Sequence, residues 1–95
     1  MERNIVDDLY AVILDRKKNP RDDSYTSKLF SKGKDEILKK IGEEVIEVIV
    51  ASKGLPKQQV IHELADLLYH CLVLMAHDDI KPEDVFKELE KRFGK

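Results

Sequence analysis

Apolar residues recur every three or four positions along most of this chain, which is the spacing of one face of an α-helix. The pattern predicts five helical segments, in chain order residues 5–18, a short helix from about 25 to 32, residues 35–53, residues 57–77 and a last helix that opens at residue 82. No alternation typical of strands and no internal repeat appears in the sequence. We therefore predict an all-α bundle of about four to five helices, forming a single domain over residues 1–95.

Local signals mark the predicted helix ends. Asn4 and Ser24 stand where an N-cap side chain is expected, and Pro82 suits the first position of a helix. Gly54 is expected to end the helix before it in a left-handed conformation, and Pro56 prevents that helix from continuing.

The apolar faces predict which side of each helix is buried. For the helix over 35–53 the predicted stripe is Ile37, Ile41, Val45, Val48 and Ser52, and for the last helix it is Val85, Phe86, Leu89 and Phe93. The helix over 57–77 is apolar on nearly every side from Val60 onward. Because a 95-residue chain buries only a modest fraction of its surface, we expect a homodimer whose central helices complete the core.

Composition narrows the class of protein. Hydrophobic residues make up 42% and charged residues 38%, which is typical of a soluble globular domain, and the net charge of -2 argues against a nucleic-acid or membrane-surface partner. The single Cys71 excludes an intramolecular disulfide and is expected to be a small buried hydrophobe. The N-terminal residues lack the layout of a signal peptide, so a cytoplasmic location is expected.

Two clusters of carboxylates lie in the apolar half of the chain, at residues 43–47 and 63–66. Residues three apart are neighbours on a helix, so Glu44 projects beside Glu47, and Glu63 beside Asp66. No lysine or arginine lies three or four positions from either member of the second pair. Like charges at this spacing are costly when they are partly buried without a partner.

A divalent cation is the best of three ways to relieve this repulsion. The others are a raised carboxylate pKa and an arginine from elsewhere in the fold, but four acids from two consecutive helices favour the cation. A ligand set that offers only oxygen atoms favours magnesium, with manganese as a substitute, over zinc, copper or iron. The first cluster alone would usually be a solvated face, so the prediction depends mainly on the second.

The arrangement of these acids resembles the all-α nucleotide pyrophosphohydrolases of the MazG-like superfamily, and within it the phosphoribosyl-ATP pyrophosphatases of histidine biosynthesis. The similarity covers nearly the whole chain and is carried by the segments Leu9–Ile13 with Asp15 and Arg16, Ser24–Thr26 with Lys28, Leu29 and Gly33, Lys40–Glu47 with Ala51, and Glu63–His70. The acids are specific only to the superfamily, whereas the Ser-Tyr-Thr and Ala-Asp-Leu-Leu-Tyr-His runs point to the histidine-pathway family.

The resemblance implies magnesium-dependent hydrolysis of phosphoribosyl-ATP to phosphoribosyl-AMP and pyrophosphate, the second step of L-histidine biosynthesis. It also implies functional residues: Glu44, Glu47, Glu63 and Asp66 as catalytic metal ligands, Glu43 as a supporting acid, and Lys40, Lys28, Arg16, Ser24 and Tyr25 as substrate-binding residues. Ser24 could equally be a helix cap. His70, four residues after Asp66, could orient that acid or could be a hydrogen-bonded core histidine.

Two other functions remain open on the sequence. One is a house-cleaning enzyme that uses the same acids on non-standard or excess deoxynucleotides, against which the Ser24–Thr26 segment argues. The other is a non-catalytic helical dimerisation module whose acids are solvated.

Overall fold

The computed structural model describes residues 4–94, which form five α-helices and contain no strand. The helices are α1 (Ile5–Lys18), α2 (Tyr25–Lys32), α3 (Lys34–Gly54), α4 (Lys57–His77) and α5 (Pro82–Arg92). The predicted all-α class is confirmed for these residues. Residues 1–3, which entered the expectation of a cytoplasmic location, and residue 95 lie outside the described part of the chain.

The helix ends agree with the capping signals in the sequence, except at Gly54. Asn4 Oδ1 accepts from the backbone N–H of Val6 at 2.9 Å and so caps α1. The prediction that Gly54 is left-handed was wrong: it is the last helical residue of α3, and Leu55 follows with extended backbone angles of φ -92° and ψ 160°. The cause is Pro56, whose ring disfavours the helical region for the residue before it. A glycine with positive φ lies instead between α2 and α3, where Gly33 has a φ of 100°.

The core occupies one end of the molecule. The two-residue turn after α3 brings α4 back alongside it, and α1 and α2 pack against the start of α3 and the end of α4. The most deeply buried apolar side chains form one cluster there, made of Ile13, Leu29, Ile37, Leu72, Val73 and Ala76.

The other end of the α3–α4 pair, residues 43–68, has no third helix that covers it; we call it the distal hairpin. Its outer faces expose eight aliphatic side chains: Val45, Ile46, Ile49, Val50, Leu55, Ile61, Leu64 and Leu68. The predicted buried stripe of α3 was therefore partly wrong, because Val45 and Ser52 are exposed. The buried positions are Ile37, Glu44 and Ala51, which are spaced seven residues apart on one stripe.

The predicted buried face of α5 was also largely wrong within a single chain. Phe86, Leu89 and Phe93 are exposed, while Pro82 is buried. The physical reason is that α5 packs mainly against α1, and the tie between them lies before the helix begins, where the Tyr10 hydroxyl donates to the Ile80 carbonyl at 2.7 Å.

The shape reflects this uneven packing. The radius of gyration is 14.6 Å, whereas a chain of this length packed as a single sphere-like domain would have about 12 Å. Helix α4 is long and apolar enough to cross a membrane by length and composition. Its second half contributes Leu72, Val73 and Ala76 to the core, and its first half carries Glu63 and Asp66.

Candidate metal centre

Carboxylates from α3 and α4 meet between the two helices. Glu44 and Glu47 from α3 and Glu63 from α4 each place one oxygen within 4.8 Å of the others. The spacing of three residues aligns the first two on one face, and the tight turn at Leu55 and Pro56 brings the third against them. Three of the four predicted ligands therefore form one group.

Glu44 is the most confined of these acids. Its side chain is buried, and its Oε2 has no hydrogen-bond partner among the described residues. Burial raises the pKa of Glu44 to about 7, assisted by its hydrogen bond with Glu47 and by the negative charges of Glu47, Asp66 and Glu63. A buried carboxylate oxygen without a partner destabilises the folded state, and a bound cation would remove that penalty.

Asp66 belongs to an adjoining group that shares Glu63. One atom each of His62, Glu63 and Asp66 lies within 4.8 Å of the others, and His62 Nε2 is 3.4 Å from Asp66 Oδ2. Gln59 also donates to Glu63 Oε2 at 2.8 Å. Sequence reasoning gave His62 no role, although its spacing of four residues from Asp66 was the signal that could have indicated one.

Glu43 turns away from both groups and pairs with Lys40. The Lys40 Nζ lies 3.3 Å from Glu43 Oε1. This hydrogen bond is the main cause that raises the pKa of Lys40, and the charges of Glu43 and Glu44 add to it, so the side chain stays protonated one helical turn before Glu44.

Tyr25, the first residue of α2, contacts α4. The Tyr25 hydroxyl is 2.9 Å from His70 Nε2, and His70 Nδ1 is 2.8 Å from the backbone oxygen of Asp66. His70 thus contacts the main chain of Asp66. Ser24 caps α2 by accepting from the Ser27 N–H at 3.1 Å.

The two remaining predicted substrate-binding residues lie on α1 and α2. Arg16 forms an ion pair with Asp15 at 2.8 Å. Lys28 is exposed and lines a surface cavity of about 210 Å³ together with Arg21 and Ser31. Neither cation forms an ion pair with the carboxylates of α3 and α4 in the part of the chain that the structure describes.

The donor set suits a hard cation. Glu44, Glu47 and Glu63 offer only carboxylate oxygens, which magnesium and manganese accept readily. The unpartnered Oε2 of Glu44 is the observation that indicates a ligand, because clusters of solvated acids keep their oxygens in water.

Comparison with known proteins gives one consistent result. A family model described as phosphoribosyl-ATP pyrophosphohydrolase matches residues 6–93. Among curated relatives, the phosphoribosyl-ATP pyrophosphatase of Geobacter sulfurreducens is 54% identical over 91 residues, covering 96% of this chain and 84% of the relative. Two further relatives have the same name. The protein of Geotalea daltonii is 49% identical and covers 99% of this chain and 89% of the relative, and that of Sulfurisphaera tokodaii is 52% identical and covers 97% of this chain and 98% of the relative.

Proposed function

Because this chain belongs to the phosphoribosyl-ATP pyrophosphohydrolase family, we propose that it hydrolyses phosphoribosyl-ATP to phosphoribosyl-AMP and pyrophosphate in the second step of L-histidine biosynthesis. The observation in the structure that supports this chemistry best is the buried, unpartnered oxygen of Glu44 between the carboxylates of Glu47 and Glu63. The reaction takes place in the cytoplasm in this proposal.

The proposed cofactor is magnesium, with manganese as a substitute. Glu44, Glu47 and Glu63 would hold it, and Asp66 would contribute through the adjoining group that shares Glu63. When bound, such an ion neutralises phosphate charge and lowers the pKa of a coordinated water.

The protein side chains supply position and charge. Attack of water on the α–β phosphoanhydride crowds negative oxygens together, so catalysis depends on fixed groups of complementary charge. Lys40, held protonated by Glu43, is placed one turn from Glu44 to bind a substrate phosphate. Lys28 and Arg16 are the further candidates for the outer phosphates, and Glu43 acts by orienting Lys40.

The direct test offers the purified protein phosphoribosyl-ATP and a panel of nucleoside and deoxynucleoside triphosphates, and measures pyrophosphate release. Phosphoribosyl-ATP should be the best substrate, and replacing magnesium with a chelator should abolish its turnover. Efficient hydrolysis of a deoxynucleotide without hydrolysis of phosphoribosyl-ATP would overturn the assignment in favour of a house-cleaning enzyme.

We further propose that a second copy of the chain covers the distal hairpin. The support is that its outer faces carry eight exposed aliphatic side chains, far more than a monomeric surface of this size would gather in one place. Light scattering coupled to gel filtration should give a dimer for the native chain and a monomer for Ile46→Lys. Val12→Lys, which changes an exposed aliphatic residue on α1, is the matched control and should remain dimeric. A monomeric native protein at micromolar concentration would refute this proposal.

A further inference from the structure

His70 has a hydrogen-bonding arrangement that the metal site does not require. The imidazole is buried, and its Nδ1 lies 2.8 Å from the backbone oxygen of Asp66. A carbonyl oxygen can only accept, so Nδ1 must carry a proton and donate.

The other ring nitrogen then fixes the polarity of Tyr25. Neither nitrogen of His70 bonds a carboxylate within residues 4–94, and the carbonyl oxygen at Nδ1 selects the tautomer that carries its proton there. In the neutral ring Nε2 has no proton, so it accepts from the Tyr25 hydroxyl at 2.9 Å. The only proton of that hydroxyl is therefore occupied, and its oxygen is left to accept.

Packing holds the tyrosine in this position. The rings of Tyr25 and Tyr69 lie 6.4 Å apart at an angle of 29°, and His70 meets both rings edge-on. The hydroxyls of Thr26 and Tyr69 are hydrogen-bonded to each other, which ties α2 to α4 next to this cluster.

Tyr25 is about half exposed, so its hydroxyl oxygen is open to a ligand from solvent. Its partner His70 is bonded to the main chain of Asp66, one of the proposed ligands. Burial raises the pKa of Tyr25, the positive charge of Lys40 opposes the rise, and the negative charge of Glu44 adds to it. The tyrosine is thus within electrostatic reach of both a proposed ligand and the lysine proposed to bind phosphate.

We propose that His70 makes Tyr25 a dedicated hydrogen-bond acceptor, and that Tyr25 binds a hydrogen-bond donor of the substrate and not a phosphate oxygen. Phosphate oxygens that carry no proton can only accept, so they cannot pair with an oxygen that also only accepts. The donor that we favour is a ribose hydroxyl, because the sugar is the part of a nucleotide bonded directly to the phosphate chain. This inference depends on the proposed function and assigns the specificity of the same site. His70 is then a positioning residue that acts through Tyr25.

The first test compares Tyr25→Phe with the native enzyme on phosphoribosyl-ATP. Loss of one hydrogen bond to substrate should raise KM about 10-fold while kcat changes by less than about 3-fold. Tyr25→Phe and the native enzyme are then compared on two analogues, whose ATP-derived ribose lacks either its 2′- or its 3′-hydroxyl. On the analogue that lacks the hydroxyl bound by Tyr25, the two enzymes should have the same KM. Tyr10→Phe removes a hydroxyl that donates to the Ile80 carbonyl and is not part of the Tyr25 cluster, so it is the control.

The second test is a double-mutant cycle with His70→Phe, which keeps a ring but removes both nitrogens. If His70 acts through Tyr25, the double variant should have the KM of the single variants, whereas independent effects would multiply. Should His70→Phe fail to fold, the Tyr25→Phe comparison decides alone.

Three outcomes would count against the inference. An unchanged KM in Tyr25→Phe, or a loss in kcat alone, overturns the acceptor role. Losses that multiply in the double variant overturn the role of His70. A raised KM on phosphoribosyl-ATP and on both deoxy analogues overturns the assignment of the bound donor to the ATP-derived ribose. If the native enzyme releases no pyrophosphate from phosphoribosyl-ATP, the proposed function itself fails, which is a separate result.

Discussion

The two ends of the α3–α4 pair have opposite polarity. At the core end Ile37 and Val73 are completely buried, whereas in the distal hairpin α3 buries only Glu44 and the small Ala51, and Ile46 is 61% exposed. Hydrophobic burial alone accounts for the first end. The second end has a buried carboxylate inside and aliphatic side chains outside.

The contrast shows which part of the molecule is structurally complete. The core end satisfies its groups within one chain, but the distal hairpin leaves a carboxylate oxygen without a partner and eight aliphatic side chains in solvent. Active sites commonly carry destabilising arrangements that the rest of the fold must support. In our account a cation satisfies the inside of the hairpin and a second copy covers the outside.

The largest effect should come from Glu63→Gln, because Glu63 belongs to both carboxylate groups. We expect kcat on phosphoribosyl-ATP to fall by about 1,000-fold or more, since electrostatic and metal contributions of this size are typical. The helical circular dichroism should be unchanged. The matched variant Glu43→Gln, which removes only the partner of Lys40, should lose less than about 10-fold. Full activity in Glu63→Gln would contradict the ligand role.

Matched alanine substitutions on α3 compare the stability of the two ends. Ile37→Ala should lower the free energy of unfolding by about 2–5 kcal/mol at every protein concentration, since it leaves a cavity in the core. Ile46→Ala should lower the free energy of unfolding by less than about 0.5 kcal/mol in dilute protein, and by more as the protein concentration rises. Urea unfolding at two concentrations measures both. Equal losses for the two variants would remove the distinction between the ends.

The pH dependence of stability isolates Glu44. Its pKa rises from 4.5 to about 7 on folding, so the folded state binds the proton more tightly than the unfolded state. The associated stability is present below pH 4.5 and is lost as the pH rises to 7, by up to about 3 kcal/mol without metal. Urea unfolding at pH 5 and pH 8 should show this loss of stability in the native chain. In Glu44→Gln most of the difference between the two pH values should disappear. An identical pH dependence in the two proteins would exclude Glu44 as its source.

The smallest effects test the turns that flank α3. Gly54→Ala should stabilise the protein by about 0.5–1 kcal/mol, because Gly54 is helical and a Cβ there would meet no atom within 4 Å. Gly33→Ala should instead destabilise it by about 1 kcal/mol, because φ is 100° at that position. Thermal unfolding measures both. Destabilisation by Gly54→Ala would restore the sequence-based prediction of a left-handed helix end.

Most of the fold could be predicted because its helix signals are local. Asn4, Ser24 and Pro82 each act within one turn of their own helix, and all three were placed correctly. The buried side of α3 could not be predicted, because apolar periodicity assumes that aliphatic residues face inward, and in the distal hairpin Glu44 takes that position.

The site was predictable to the level of residue pairs on each helix. The spacing of three residues indicated the pairs, but it could not show that Glu63 groups with Glu44 and Glu47 while Asp66 groups with Glu63 and His62. The contact between Tyr25 and His70 joins residues 45 positions apart, and no local rule reaches that far.

The most direct test of the account is a titration of divalent cation into the protein at pH 8 without substrate, for the native chain and for Glu44→Gln and Glu43→Gln. Manganese is the convenient probe, because its free form can be counted by electron paramagnetic resonance, and magnesium should compete with it. We predict that the native chain and Glu43→Gln bind manganese with similar dissociation constants and that Glu44→Gln binds at least about 10-fold more weakly. Equal binding by all three proteins would contradict the claim that the buried carboxylate of Glu44 holds the metal.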